Sequence, residues 1–326
     1  MERDTYFDTL KVYLIVLVVF GHCLEVNLEN RLNLAIYSTI YTFHMPLFVF
    51  ISGYFSKQEK SKRVFFEKML KLFETLIVFN VILRFFDFIH TDFTLVWLLI
   101  PAWILWYLLA LIYWRGFIQI TPPSIINSKK CMFSIGIICL LAGFIPIGYI
   151  ASFQRSVSFF PFFLFGYLCS LNNINIRKHT FKLWHAIVLM VVLTLLYLLL
   201  NNNINSILYC ATPYKDWRGI IYRTFLYLLS LIVGHAFVSI IDYVHSGRKP
   251  RIGTNTMFYF LYHAPFVILL KMIVVRFGLP TDFIYIVFYS IIIFLIVYLL
   301  EKSFILNKLI NPFSYIYEKS VNRRRS

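Results

Sequence analysis

The sequence predicts an all-α polytopic membrane protein of about ten transmembrane helices with both termini in the cytoplasm, and three observations carry that expectation. Of its 326 residues, 60% are hydrophobic and 14% charged, a balance foreign to soluble domains. Apolar segments of roughly 20 residues, long enough to cross the ~30 Å hydrocarbon core as helices, recur along the chain with short polar intervals. The basic residues alternate by side. The N-terminus, Lys57 to Lys71, Arg115 to Lys130, Arg177 to Lys182, Arg248 to Arg251 and the tail from Lys302 hold 23 of the 31 Lys and Arg. An excess of that kind marks the cytoplasmic side and requires an even number of spans.

The first span, Leu10 to Leu24, runs into Gly-His-Cys-Leu-Glu rather than a small-x-small cleavage site, so it is expected to stay in the protein as a helix. The second, Leu34 to Phe55, holds His44, Pro46 and Ser52-Gly53. A basic cluster, KQEKSKRVFFEKMLK, leads into the third, Leu70 to Phe88. Val96 to Phe117, Met132 to Ile150 and Ser156 to Leu171 follow, the last being short. Leu183 to Leu200 and Gly219 to Ile241 flank the largest outer loop, Asn201 to Arg218. Tyr209 and Trp217 in that loop suit stacking on a sugar, and they equally suit a solvated loop with interfacial aromatics. Thr256 to Phe277 and Phe283 to Leu300 complete the series. No repeat and no second domain is evident, so residues 1–326 read as one integral domain.

The net charge of +16 follows the membrane sides, which removes nucleic acid as a partner; the terminal Arg-Arg-Arg suits orientation or anionic head groups. Five cysteines show no paired metal spacing and read as small apolar residues, with no metal site expected.

Ionisable groups at membrane depth cost free energy, so they face a protein interior or a wet cavity. On the first helix Asp8, Lys11 and His22 fall in one stripe at about 100° per residue, with His22 about 20 Å above Asp8. On the second, Pro46 has no amide hydrogen and frees the carbonyl of Thr42 beside His44, while Ser52-Gly53 permits close approach of another chain or a ligand. His22 and His44 are candidate general bases; the competing reading is a packing hydrogen bond between helices. His263, in a second His-x-Pro, and His235 are weaker candidates of the same kind. Arg155 and Arg223, near outer helix ends, either stabilise an oxyanion and orient an acceptor or snorkel to the interface.

Several segments resemble the acyltransferase-3 family of integral membrane acyltransferases. RDTYFDTLKVYLIVLVVFGHCLE is similar to its opening signature and FHMPLFVFISGYF to its second-helix signature. WILWYLLALIYWR, RSVSFFPFFLFGY and IGTNTMFYFLYHAPF resemble its later blocks in the same order. The resemblance implies an O-acyltransferase of the cell membrane that takes an acyl group, usually acetyl, from cytoplasmic acyl-CoA as co-substrate, with no permanently bound cofactor. The acceptor would be a hydroxyl of an extracytoplasmic glycan or its lipid-linked precursor. By the same analogy His22 is the catalytic base, with Arg3, Asp8 and Lys11 below it and His44 in the second motif. Arg3, Arg63, Lys68 and Lys71 would hold the CoA, and Arg155, Arg223, Trp106 and Tyr107 the acceptor. Where relatives carry Arg-x-x-Arg, this chain has Lys68-x-x-Lys71, and an ammonium meets phosphate as a point charge. Rival expectations are a transporter or flippase for lipid-linked sugars and a non-catalytic partner in glycan assembly. No appended domain follows the membrane part, which directs acceptor choice to helices and outer loops.

Overall fold

In the computed structural model residues 5–88, 100–178, 180–201, 204–245 and 250–315 are described. Among them there is no strand, and ten helices exceed twelve residues: α1 Thr5–Leu24, α2 Arg31–Tyr54, α3 Lys62–Phe88, α4 Trp106–Ile120, α5 Lys129–Leu141, α6 Phe153–Leu171, α7 Leu183–Leu200, α8 Arg218–Val244, α9 Thr256–Phe277 and α10 Phe283–Leu300. The all-α membrane architecture is therefore observed. Seven segments qualify as spans by length and composition: α1, α2, α7, α8, α9, α10, and α4 with the 3-10 turn Trp103–Leu105 before it.

Three of the expected spans fall outside that set of seven. α3 begins at Lys62 and is 27 residues long, about 40 Å, but its first turns are charged and exposed. α6 carries Gln154, Arg155, three serines and Pro161. The segment Met132 to Ile150 is not one helix. α5 stops at Leu141 and a 3-10 turn, Ala142–Phe144, follows. Pro146 has no amide hydrogen to continue a helix, and Gly148 takes a left-handed φ of 62°. Gly143 packs under Tyr214, where a Cβ would lie 2.1 Å from the ring.

The fold is arranged around α2. It is the most enclosed span and touches α1, α6, α7 and α8. Asn30 starts it, its side chain accepting from the backbone N–H of Leu32 and Asn33, an N-cap that satisfies two otherwise orphaned donors. At its other end the backbone of α6 lies directly against it. A Cβ on Gly53 would fall 1.9 Å from the carbonyl oxygen of Phe163, and one on Gly166 1.9 Å from that of Phe50. The close approach allowed by Ser52-Gly53 is thus taken by a neighbouring helix, as small residues permit in membrane bundles.

Pro46 lies inside α2, and the carbonyl it leaves without an intrahelical donor, that of Thr42, accepts from Ser230 Oγ of α8 at 2.6 Å. A polar backbone group that hydrocarbon could not satisfy is met by a side chain from the next helix. α7 and α10 are the most apolar helices and the least enclosed. Their apolar residues face outward, as at Leu199 and Ile284, because lipid, unlike water, favours an apolar exterior. The less apolar spans α1, α2, α4 and α9 are more enclosed and carry the site.

Candidate functional site

A cavity of about 360 Å³ opens at one end of the bundle. It is built where α1 and α3 end, where α4 and α6 begin, against the middle of α2 and beside the short helix Asn205–Tyr209. All of these lie at the end of α1 remote from Thr5.

His22, in the last turn of α1, lines this cavity. Its Nδ1 lies 3.0 Å from Glu25 Oε1 and 3.1 Å from Tyr41 Oη. Glu25 is the centre of the network. Oε1 also accepts from Tyr41 Oη at 2.8 Å and Tyr37 Oη at 3.2 Å, and Oε2 accepts from Lys271 Nζ at 3.0 Å. Tyr37 in turn bonds Tyr209. Glu25 sits just past the end of α1. Burial alone would raise its carboxyl, but His22 and Lys271 outweigh burial and hold it well below the usual carboxylate range. The group facing His22 is thus an anion with every donor in place. An acceptor-only oxygen on Nδ1 sets the ring with Nδ1–H toward Glu25 and leaves Nε2 as the basic nitrogen.

Two further histidines adjoin. His44 lines the same cavity, and its Nδ1 lies 2.8 Å from the Ile40 carbonyl. A carbonyl only accepts, so His44 carries its proton on Nδ1 and keeps Nε2 as an acceptor. His263 is fixed in the same way by the Tyr259 carbonyl at 2.9 Å. Its ring stacks on that of His22, with centroids 5.4 Å apart and planes 19° apart. Trp103 closes the group, 4.4 Å edge-on from His22 and under Lys271 Nζ at 4.9 Å. Trp103 itself takes a φ of 35°, a conformation that large side chains seldom adopt and that clusters at functional sites.

Of the residues the sequence nominates, His22, His44, Trp106 and Arg155 meet in this cavity. Asp8 and Lys11 do not. They form an ion pair of 2.9 Å at the other end of α1, with Lys11 over the Phe55 ring. Arg223 is buried on α8, donating to Ser158 Oγ at 2.7 Å and lying over Tyr214. Tyr107 bonds Ser52 on α2, outside the cavity wall. Arg63 and Lys68 are exposed and paired, with Glu67 at 2.9 Å and Glu59 at 2.5 Å. Lys71 lies on the same stretch of α3, and Arg3 lies outside the described residues. His235 packs edge-on to Phe181 and lines a separate apolar cavity of about 250 Å³ between α2, α6 and α8.

Sequence reasoning missed Glu25, Tyr41, Trp103 and Lys271. One signal was present for Lys271, a lone lysine within the apolar run of α9. Another was present for Glu25, one turn after His22.

Comparison with known proteins adds the following. A family profile described as an acyltransferase domain, of the acyltransferase-3 type, matches residues 4–302. Over 57 residues the chain is 47% identical to nodulation protein NolL of Sinorhizobium fredii, a stretch covering 16% of this chain and 16% of that protein. No solved structure matches the chain.

Proposed function

The chain belongs to the acyltransferase-3 family, and from that premise we propose that this membrane acyltransferase moves an acetyl group from cytoplasmic acetyl-CoA to a sugar hydroxyl on the opposite side of the cell membrane, with His22 as general base. The acceptor in this reading is a cell-surface polysaccharide or its lipid-linked precursor. The observation that carries the proposal is the His22–Glu25 pair in the wall of a cavity, with Nε2 as the ring's remaining basic nitrogen.

In the mechanism the acceptor O–H gives its proton to His22 Nε2 as the oxygen attacks the thioester carbonyl. The imidazolium that forms is stabilised by Glu25, whose four donors hold it in place. The tetrahedral intermediate then collapses: a C–O ester bond has formed, the C–S bond breaks, and the CoA sulfur leaves with the proton returned by His22. His44, with Nδ1–H committed to Ile40, is suited to accept from the incoming hydroxyl and not to donate to an oxyanion. Asp8 and Lys11 act in this scheme at the cytoplasmic end of α1, and Arg63, Lys68 and Lys71 present the basic surface on that side to CoA phosphates.

The test is CoA release in membranes containing the chain, given acetyl-CoA and extracted cell-surface glycan and followed by a thiol reagent. Release that depends on added glycan and is lost in His22→Ala is expected. Release unaffected by that substitution removes His22 from the role.

A further inference from the structure

The wall of the cavity across from His22 holds a second chemical feature. Arg155, in the first turn of α6, lines it together with Trp106, Tyr149 and Tyr209. Its guanidinium carbon lies 5.4 Å from the Trp106 ring centroid, 5.4 Å from that of Tyr149 and 5.5 Å from that of Tyr209. Its Nε is buried with no hydrogen-bond partner, and among the described residues no carboxylate pairs with it. The nearby carboxylate, Glu25, is already engaged by Lys271 and His22. Burial pushes the Tyr209 phenol up to about 12, so that side chain stays a neutral hydroxyl and supplies no counter-charge.

The position works against helix stability, which argues that it serves something else. A cation in the first turn of a helix opposes the macrodipole. The cap does not compensate: Ser152 sits at a left-handed φ of 53° and makes no side-chain capping bond, while the Phe153 N–H is taken by the Ile150 carbonyl. Arg155 and the three rings form a positive concave site with aromatic walls. Arginine forks match carboxylate or phosphate oxygens, and tyrosine and tryptophan faces pack against sugar rings.

We infer that the acceptor is an acidic glycan, whose carboxylate or phosphate docks on Arg155 while a neighbouring hydroxyl is presented to His22. This rests on the acyl-transfer reading above. The anion is assigned to the acceptor because Arg155 and the segments around it share the end of the bundle where His22 lies, remote from the Lys57 to Lys71 cluster.

Two measurements on the full-length protein in nanodiscs test it. The first is binding, followed by tryptophan fluorescence, of three matched oligosaccharides: one containing a uronic acid, its carboxyl-reduced neutral form, and a phosphorylated form. The second is acetyl transfer to the same three from labelled acetyl-CoA. An acidic form is expected to bind at least about tenfold more tightly than the neutral one, the scale of one charge-assisted contact. Which acidic form leads identifies carboxylate or phosphate. In Arg155→Met the acidic-to-neutral ratio is expected to fall to about one, and in Arg155→Lys to be partly kept. Equal binding of acidic and neutral forms by wild type overturns the inference, even where transfer occurs. Loss of acetyl-CoA binding in Arg155→Met with the sugar ratio unchanged also overturns it, by moving the anion to the donor. Acid-selective, Arg155-dependent binding without any transfer upholds the subsite and counts against the acyl-transfer reading alone.

Discussion

Glu25 Oε1 lies 3.0 Å from His22 Nδ1, three residues further along the chain, so the carboxylate that orients the ring comes from the turn that follows the same helix. The pairing makes the imidazole directional: Nδ1 carries its proton toward Glu25 and Nε2 is the basic nitrogen.

Glu25→Gln keeps the shape of the side chain but removes the charge that stabilises imidazolium. The expected outcome is a fall in kcat of about 10²–10⁴-fold, the range of general acid–base catalysis, with KM for acetyl-CoA little changed. Steady-state kinetics on purified protein check it. A Glu25→Gln enzyme with near wild-type kcat separates the carboxylate from catalysis.

Tyr41 Oη touches both partners, at 3.1 Å from His22 Nδ1 and 2.8 Å from Glu25 Oε1. Tyr41→Phe removes one hydrogen bond to a charged group, worth about 1.5–3 kcal/mol. Because it acts through Glu25, its effect on kcat is expected to be far smaller in the Glu25→Gln background than in wild type, and a double-mutant cycle measures the coupling.

Ser230 and Pro46 are coupled through one carbonyl. Ser230→Ala leaves the Thr42 oxygen buried without its donor and is expected to cost about 1–3 kcal/mol, read as a lower melting temperature in detergent. Pro46→Ala restores an N–H at position 46, which can donate to Thr42 within the helix. In that background Ser230→Ala is expected to cost much less. Equal costs in the two backgrounds contradict the assignment.

Much of this arrangement was legible in the sequence, and the failures have physical causes. His22, which lines the cavity, is visible in the sequence because an imidazole at the end of an apolar helix stands out against hydrocarbon. Asp8 and Lys11 share its helical stripe and lie at the other end of α1, the separation of about 20 Å that the helical rise gives. Trp106 and Tyr107 are adjacent, and neighbours on a helix point about 100° apart; Trp106 faces the cavity while Tyr107 turns to Ser52. Glu25 lies just beyond the apolar run, where a charge reads as loop solvation, and its partner Lys271 is 246 residues away. No local pattern encodes that meeting. Just past the end of α5 the Tyr214 ring covers Gly143, a tertiary contact from a distant loop.

The α2–α6 contact yields a stability prediction with a built-in control. Gly166→Ala forces a methyl against the Phe50 carbonyl and is expected to destabilise by about 1–3 kcal/mol or more, as overpacking does. Gly136 on α5 has open space around its Cβ position, so Gly136→Ala is expected to leave the melting temperature unchanged or slightly raised.

The most direct test of the central claim follows the acyl group itself. Membranes bearing wild-type or His22→Ala protein are incubated with radiolabelled acetyl-CoA and extracted glycan, after matched amounts of folded protein are verified. Alkali-labile label in the glycan with wild type, and none above background with His22→Ala, is the predicted result. Label that stays with CoA in both, or that reaches the glycan equally in both, contradicts the account.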